Sequence, residues 1–342
     1  MIAKLIFSLT AVLVLVALAY VGVTSGNMQY AFGVVIPYAA VGIFLAGFVY
    51  RILTWASAPV PFRIPTTGGQ QKSLPWIKPN KIDNPWSTGA VLLRMAFEIL
   101  TFRSLFRNTK AEYVGQPRLV YGSDKWLWLF ALAFHYTFLV VLVRHLRFFT
   151  EPVPAFVHTL ESVDGFVQVT APALLQTGVI LLAAVTYLLV RRLYIPQVRY
   201  ISLPSDYFPL LLIMAIATSG ILMRYVFKTN IVAVKELTMS LATFTPKVPE
   251  GIGVIFYIHI FLVSVLFAYF PFSKLMHLGG VFLSPTRNLA CNSREKRHIN
   301  PWNYPVKVHT YEEYEEEFRE AMIRAGIPVE KEPKVVEHAQ AK

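Results

Sequence analysis

Four of the eight histidines fall in or at the ends of long apolar segments. His135 and His145 lie ten residues apart in the stretch HYTFLVVLVRH, and His259 and His277 lie eighteen residues apart with Pro271 between them. An ionisable side chain at membrane depth is costly without a partner and therefore points to function. A lone histidine of this kind is accounted for by a hydrogen bond to a neighbouring helix. Four of them on two segments need a joint account, drawn from metal ligation, proton relay or structural hydrogen bonding.

The segments that must position them follow from composition. Of 342 residues, 55% are hydrophobic and 15% charged, against about 25% charged in a soluble domain. The apolar residues come in blocks of about 20, the length that spans a bilayer core. The expected fold is therefore all-α, a polytopic membrane bundle of six spans: Leu5–Thr24, Phe32–Trp55, Trp126–Phe149, Ala171–Val190, Tyr207–Val226 and Ile252–Phe272. The first apolar run is too long for a typical signal peptide and reads as an uncleaved helix. The sole cysteine, Cys291, cannot by itself form an internal disulfide, a Cys-ligated zinc site or an iron–sulfur cluster. The net charge of +12 suits the Lys and Arg that collect in cytoplasmic loops. No zinc-finger, RNP-type or helix-turn-helix pattern accompanies it, so nucleic-acid binding is set aside.

The loops set the orientation. Ser57–Lys125 carries ten Lys or Arg against four acids, and the link after the fourth span holds Arg191, Arg192 and Arg199 against Asp206. Thr150–Thr170 has Glu151, Glu161 and Asp164 and no Lys or Arg. With six spans, the positive-inside rule places both termini in the cytoplasm. Residues 1–56 then hold two N-terminal spans, 57–125 a basic cytoplasmic loop, 126–277 a four-helix core and 278–342 a cytoplasmic tail. Within the loop, Gly89–Arg107 reads as an interfacial amphipathic helix whose Arg94, Arg103 and Arg107 meet anionic headgroups; a short seventh span is the alternative. The tail contains Pro301, Pro305, Pro328 and Pro333 and is no compact domain. Inside it, Tyr311–Arg324 is predicted helical, with Tyr311, Tyr314, Phe318 and Met322 forming a docking stripe for a cytoplasmic partner.

On this topology the spans carrying the histidines are antiparallel, which matches His145 with His259 near the outside and His135 with His277 near the inside. Two facing imidazoles at one depth form a cage suited to a haem iron. Eighteen residues at 100° each return to the same helix face, whereas ten leave an offset of about 80°. The rises differ, at about 15 Å for ten residues and about 27 Å for eighteen, so both pairs are level only with tilt or a bend at Pro271. A proton relay stays open but lacks carboxylates in the third to sixth spans. A copper or zinc site stays open but wants three or four ligands at one level.

Other residues carry weaker signals. His298, His309 and His338 read as solvated tail residues. His158, near Glu161 and Asp164, reads as an exposed loop imidazole or as a proton acceptor for a quinol. Arg144, Arg147 and Arg224 lie at outer helix ends, where they either snorkel to headgroups or pair with haem propionates.

The ligand spacing, ten on one helix and eighteen toward the end of the last, resembles that of the dihaem cytochrome b gamma subunits of respiratory nitrate reductases over residues 120–280. That resemblance implies two haem b groups, with His145 and His259 as axial ligands of the outer iron and His135 and His277 of the inner. Two further stretches, APVPFRIPTTGGQQKSLPWIK (Ala58–Lys78) and the tail after CNSREKRHINPW, are similar to the DsrM branch, the membrane cytochromes of DsrMKJOP complexes in sulfur-metabolising prokaryotes. This second resemblance implies menaquinone as substrate and a DsrK-like cytoplasmic iron–sulfur partner akin to the catalytic subunit of heterodisulfide reductase. It also implies further membrane and periplasmic subunits and electron delivery toward a DsrC-type trisulfide in sulfite respiration. The reading is of an electron-transfer subunit of a quinol-linked oxidoreductase complex in the cell membrane. A cytochrome b of another quinone-linked complex, such as nitrate reductase, and a non-redox transporter or proton-channel subunit are the alternatives.

Overall fold

The computed structural model describes residues 2–58, 69–115, 118–167, 172–292 and 308–331. Residues 59–68 of the Ala58–Lys78 motif, the CNSREKRHINPW tail motif beyond Asn292, His298, His338, Pro301, Pro305, Pro333 and Ala171 lie outside the described residues.

Six helices are long and apolar enough to cross a bilayer, and uncharged runs of this length permit no other solution, since a helix alone satisfies every backbone group within its own segment. They are α1 (Ile2–Thr24), α2 (Ile36–Ala56, entered through a π-turn at Ala31–Val35), and, after the basic loop, α5 (Lys125–His145), α7 (Gln176–Tyr194), α9 (Pro204–Tyr225) and α11 (Val254–Tyr269). Between α2 and α5 come α3 (Thr88–Thr101), α4 (Arg103–Phe106) and a ribbon of β1 (Thr109–Tyr113) paired antiparallel with β2 (Leu119–Ser123). The shorter α6 (Ala155–Asp164), α8 (Pro196–Ile201) and α10 (Ile231–Ala242) join the later spans. The chain continues into α12 (His277–Leu283), α13 (Pro285–Asn288) and α14 (Tyr311–Arg324). The all-α bundle expected from the apolar blocks is the fold observed, with the small ribbon added. The fourth span starts later than the hydropathy suggests, at Gln176, and runs on through Arg191 and Arg192 to Tyr194.

The helices pack in an ordered sheaf. α1 lies along α9 and α11, α9 along α7 and α11, α2 along α11, and α5 along α7. Tyr207, Leu212, Leu237, Tyr257 and Leu262 form the sealed centre of this packing. Two polar ties fix α1 against the turn before α9: Lys4 Nζ donates to the Ser202 carbonyl at 3.0 Å and Ser8 Oγ to the Pro204 carbonyl at 3.1 Å. The outward faces of the spans stay apolar and exposed, as Ile6, Phe7, Leu13, Leu139 and Leu142 show, which is what lipid contact requires.

The Gly89–Arg107 segment forms α3, breaks at Phe102 and resumes as α4, and it is not among the six candidate spans. Arg94 is buried, while Arg103 and Arg107 both pair with Asp83, the former at 2.9 Å. Cys291 is buried, and its backbone N–H donates to the Pro85 carbonyl at 2.6 Å.

α14 belongs to a second unit of the chain. It begins with a capping box in which Thr310 Oγ1 accepts from Glu313 N and Glu313 accepts from Thr310 N. The buried Glu315 carboxylate accepts from the Glu330 and Lys331 amides at 2.7 and 3.0 Å, so the chain after the helix folds back on it. Tyr311, Tyr314 and Phe318 stay exposed on this helix.

Candidate paired histidine sites

α5 carries His135 in its body and His145 as its last residue, and α11 carries His259 in its second turn. His277 is not on the same helix as His259. Pro271 has no N–H to continue the ladder, so α11 ends at Tyr269 and passes into a 3-10 turn, Phe270–Phe272. Ser273 is extended (φ −120°, ψ 177°), a second 3-10 turn covers Lys274–Met276, and α12 opens at His277. The same-face arithmetic over eighteen residues therefore fails, because the helix it assumed is interrupted. The interruption also removes the level mismatch. A Cβ at Gly47 would lie 2.8 Å from Pro271 Cβ, so a glycine at that point of α2 lets the break pack closely.

The chain brings the four imidazoles together in the expected pairs. The ring centres of His145 and His259 are 6.4 Å apart with planes 10° from parallel. Those of His135 and His277 are 5.9 Å apart with planes at 82°. Taking a metal–imidazole nitrogen bond of roughly 2.0–2.1 Å, two rings sharing one ion have centres about 6.3 Å apart. The His145–His259 pair matches that spacing, and the His135–His277 pair falls slightly short of it. α5 and α11 are not among the closely packed helix pairs; imidazoles span the gap between them. His135 and His277 are open on their groove and His145 and His259 half-buried.

Hydrogen bonding prepares the rings. Nδ1–H of His135 donates to the Ala131 carbonyl at 2.7 Å, that of His145 to Val141 at 2.6 Å and that of His277 to Lys274 at 2.9 Å. A carbonyl only accepts, so each of these rings carries its proton on Nδ1 and leaves the Nε2 lone pair for a metal. His259 reaches the same state through a side chain. Ser219 Oγ donates to the Ile216 carbonyl at 2.9 Å and thus accepts from His259 Nδ1–H, also at 2.9 Å. Among the described residues no group of three or more His, Cys, Asp and Glu could hold an ion, so two-coordinate pairs are the arrangement this chain offers.

Beyond His145, four of the charged residues singled out in the sequence pair with one another. Arg144 and Asp164 form a buried ion pair at 3.0 Å, and Asp164 also accepts from Thr177 N at 2.7 Å and Thr177 Oγ1 at 2.6 Å. Arg147 pairs with Glu161 at 2.6 Å, while Arg224 donates to the Ala173 carbonyl at 3.2 Å. Arg144 Nε and Arg224 Nε are buried without a hydrogen-bond partner. His158 is exposed on α6. At the same end, a cavity of about 340 Å³ is lined by Gln29, Val248, Glu250, Ile252 and Tyr257.

Sequence reasoning missed Ser219, although a polar residue inside an apolar span is the signal that marks it. It also missed Phe102, whose ring centre lies 4.9 Å from that of His135, and nothing in the local pattern announces that contact.

The sequence profile of the nitrate reductase gamma subunit matches residues 105–291, the stretch that contains all four paired histidines. The chain belongs to the nitrate reductase gamma subunit family. Two curated relatives cover more of it. A protein of Archaeoglobus fulgidus, named Hdr-like menaquinol oxidoreductase cytochrome b-like subunit, is 49% identical over 279 residues, which is 80% of this chain and 83% of the relative. Its namesake in Archaeoglobus profundus is 45% identical over 275 residues, 78% of this chain and 81% of the relative. In this gamma-family chain the profile starts inside α4, so α1, α2 and α3 precede the matched core. With six spanning helices in such a family, the chain is a multi-pass membrane protein.

Proposed function

We propose that this chain is the dihaem cytochrome b subunit of a menaquinol-linked oxidoreductase, exchanging electrons between a membrane quinone and a soluble partner. The observation that carries the reading is the pair of facing imidazole couples, each with Nδ1 fixed and Nε2 free. His145 and His259 would hold one haem b, and His135 and His277 the other. Each haem, when bound, supplies one-electron chemistry at a potential set by its axial ligands, their hydrogen bonds and burial. The protein makes no substrate bond itself. It fixes two ligand pairs along one helix, holds the tautomer and supplies the apolar wall.

Charge asymmetry supports placing both termini and the His135–His277 pair on the cytoplasmic side. The His145–His259 pair, its arginines and the cavity beside Tyr257 then face outward, where quinol would dock and release protons. Glu250, Gln29 and Tyr257 offer an acceptor, an amide and a hydroxyl to its head group. The names of the Archaeoglobus relatives support both menaquinol and a heterodisulfide-reductase-like assembly. The partner we infer is a DsrK-like iron–sulfur subunit meeting the basic loop (57–125) and the tail (278–342), within a DsrM-type complex of the cell membrane serving sulfite respiration.

A reduced-minus-oxidised visible spectrum with haem quantification on purified protein tests the reading. Two b-type haems per chain are expected, and a haem-free chain would overturn it.

A further inference from the structure

The seam between α3 and α5 does more than close the bundle. A helix C-terminus leaves its last carbonyls without intrahelical donors. Two of those on α3 are taken by aromatic side chains of α5: Tyr136 Oη donates to the Leu100 carbonyl at 2.8 Å, and Trp128 Nε1 to the Thr101 carbonyl at 2.7 Å. The next residue, Phe102, sits at φ 50° and ψ 46°, a left-handed conformation that is an outlier for a bulky side chain. The turn sets its ring edge-on to His135, with centres 4.9 Å apart and planes at 90°. Phe134 flanks the same imidazole at 5.1 Å, and His277 faces it at 5.9 Å. The segment is anchored beyond the turn as well. Arg287 reaches Glu98 at 3.3 Å and Ser104 at 2.9 Å, and Asp83 holds Arg103.

Backbone strain of this kind persists where the surroundings over-determine it, and it gathers at functional sites. A packing role alone would favour glycine, which adopts this conformation without a Cβ penalty. We propose that Phe102 is a positioning residue for His135: its ring holds the imidazole for ligation and keeps water from the edge of the ring that it covers. The proposal rests on the haem reading above. A haem between two neutral imidazoles carries one more positive charge when oxidised than when reduced. An apolar neighbour that excludes water therefore disfavours the oxidised form and raises the potential.

The test uses the full-length chain with Phe102→Gly, which suits the backbone while deleting the ring, and Phe102→Leu, which restores apolar bulk. Haem quantification and redox titration are run on both and on the parent. In Phe102→Gly the potential of one haem is expected to fall, that haem being the one lost in His277→Ala, while the other stays fixed; Phe102→Leu recovers part of the shift. Selective loss of that haem in the glycine variant, restored by leucine, also supports the proposal. Two haems at unmoved potentials, or an equal fall at both, overturn it. A parent chain without haem overturns the haem reading instead, so the two failures are distinguishable.

Discussion

The imidazole planes of His145 and His259 lie 10° from parallel, whereas those of His135 and His277 cross at 82°. Parallel axial rings split the two π-type d orbitals of a ferric iron, and crossed rings leave them nearly degenerate. Low-temperature EPR of the oxidised protein is expected to show two separate low-spin signals, one rhombic and one strongly anisotropic. A single signal integrating to two irons would contradict the geometry.

Each ligand pair should fail alone. His145→Ala is expected to remove the haem with the rhombic signal, and His277→Ala the other, each leaving about one haem per chain. Haem-to-protein ratios on purified variants check this. Loss of both haems, or of neither, from either substitution argues against the pairing.

Ser219 fixes the His259 tautomer from a neighbouring helix. Ser219→Ala removes this acceptor from the His259 Nδ1–H. Losing such a supporting hydrogen bond typically lowers metal affinity about 10–100-fold. Haem retention on dilution should drop at the His145–His259 site only, and equal retention at both sites would count against the assignment.

Breaking the Arg144–Asp164 pair by Asp164→Ala strands a buried guanidinium and frees Thr177. The cost expected for one orphaned partner of a buried pair is about 3–5 kcal/mol. Thermal unfolding in detergent should show a markedly lower midpoint, with Asp164→Asn intermediate because the amide oxygen still accepts from Thr177.

The Glu315 carboxylate is held below its ordinary 4.5, chiefly by the Glu330 N–H it accepts. A depressed folded-state pKa means that the closure is fully present above about pH 4.5 and is lost as the pH falls through the folded value. Hydrogen exchange at Glu330 and Lys331, referenced to Glu315→Gln at each pH, should show protection that disappears on acidification. Protection equal to that of Glu315→Gln at every pH would exclude this linkage.

Much of this molecule is legible in its sequence. Uncharged runs specify spanning helices because lipid offers the backbone no alternative, and antiparallel connectivity paired His145 with His259 and His135 with His277. The route to the second pair was less legible. Pro271 signals a break, but the two 3-10 turns and the extended Ser273 that re-aim His277 depend on packing against Gly47 and its neighbours. The same limit explains Arg94, Arg103 and Arg107. Their spacing reads as an interfacial stripe but does not announce that Asp83 pairs with Arg103 and Arg107 or that Arg94 is buried, because contacts from distant chain segments leave no periodic trace.

The break at Pro271 has a consequence for how the two sites are spaced. Because α11 stops and α12 restarts, the last strand of the scaffold sets no distance between them. That distance is carried by α5 alone, an unbroken helix in which ten residues rise about 15 Å from His135 to His145. α5 is thus a rigid ruler, and the Pro271–Met276 passage is an adjustable joint that brings His277 to His135. Changes of length in the joint would mis-set one histidine pair and leave the other intact, whereas changes of length in α5 would alter the separation of the two pairs.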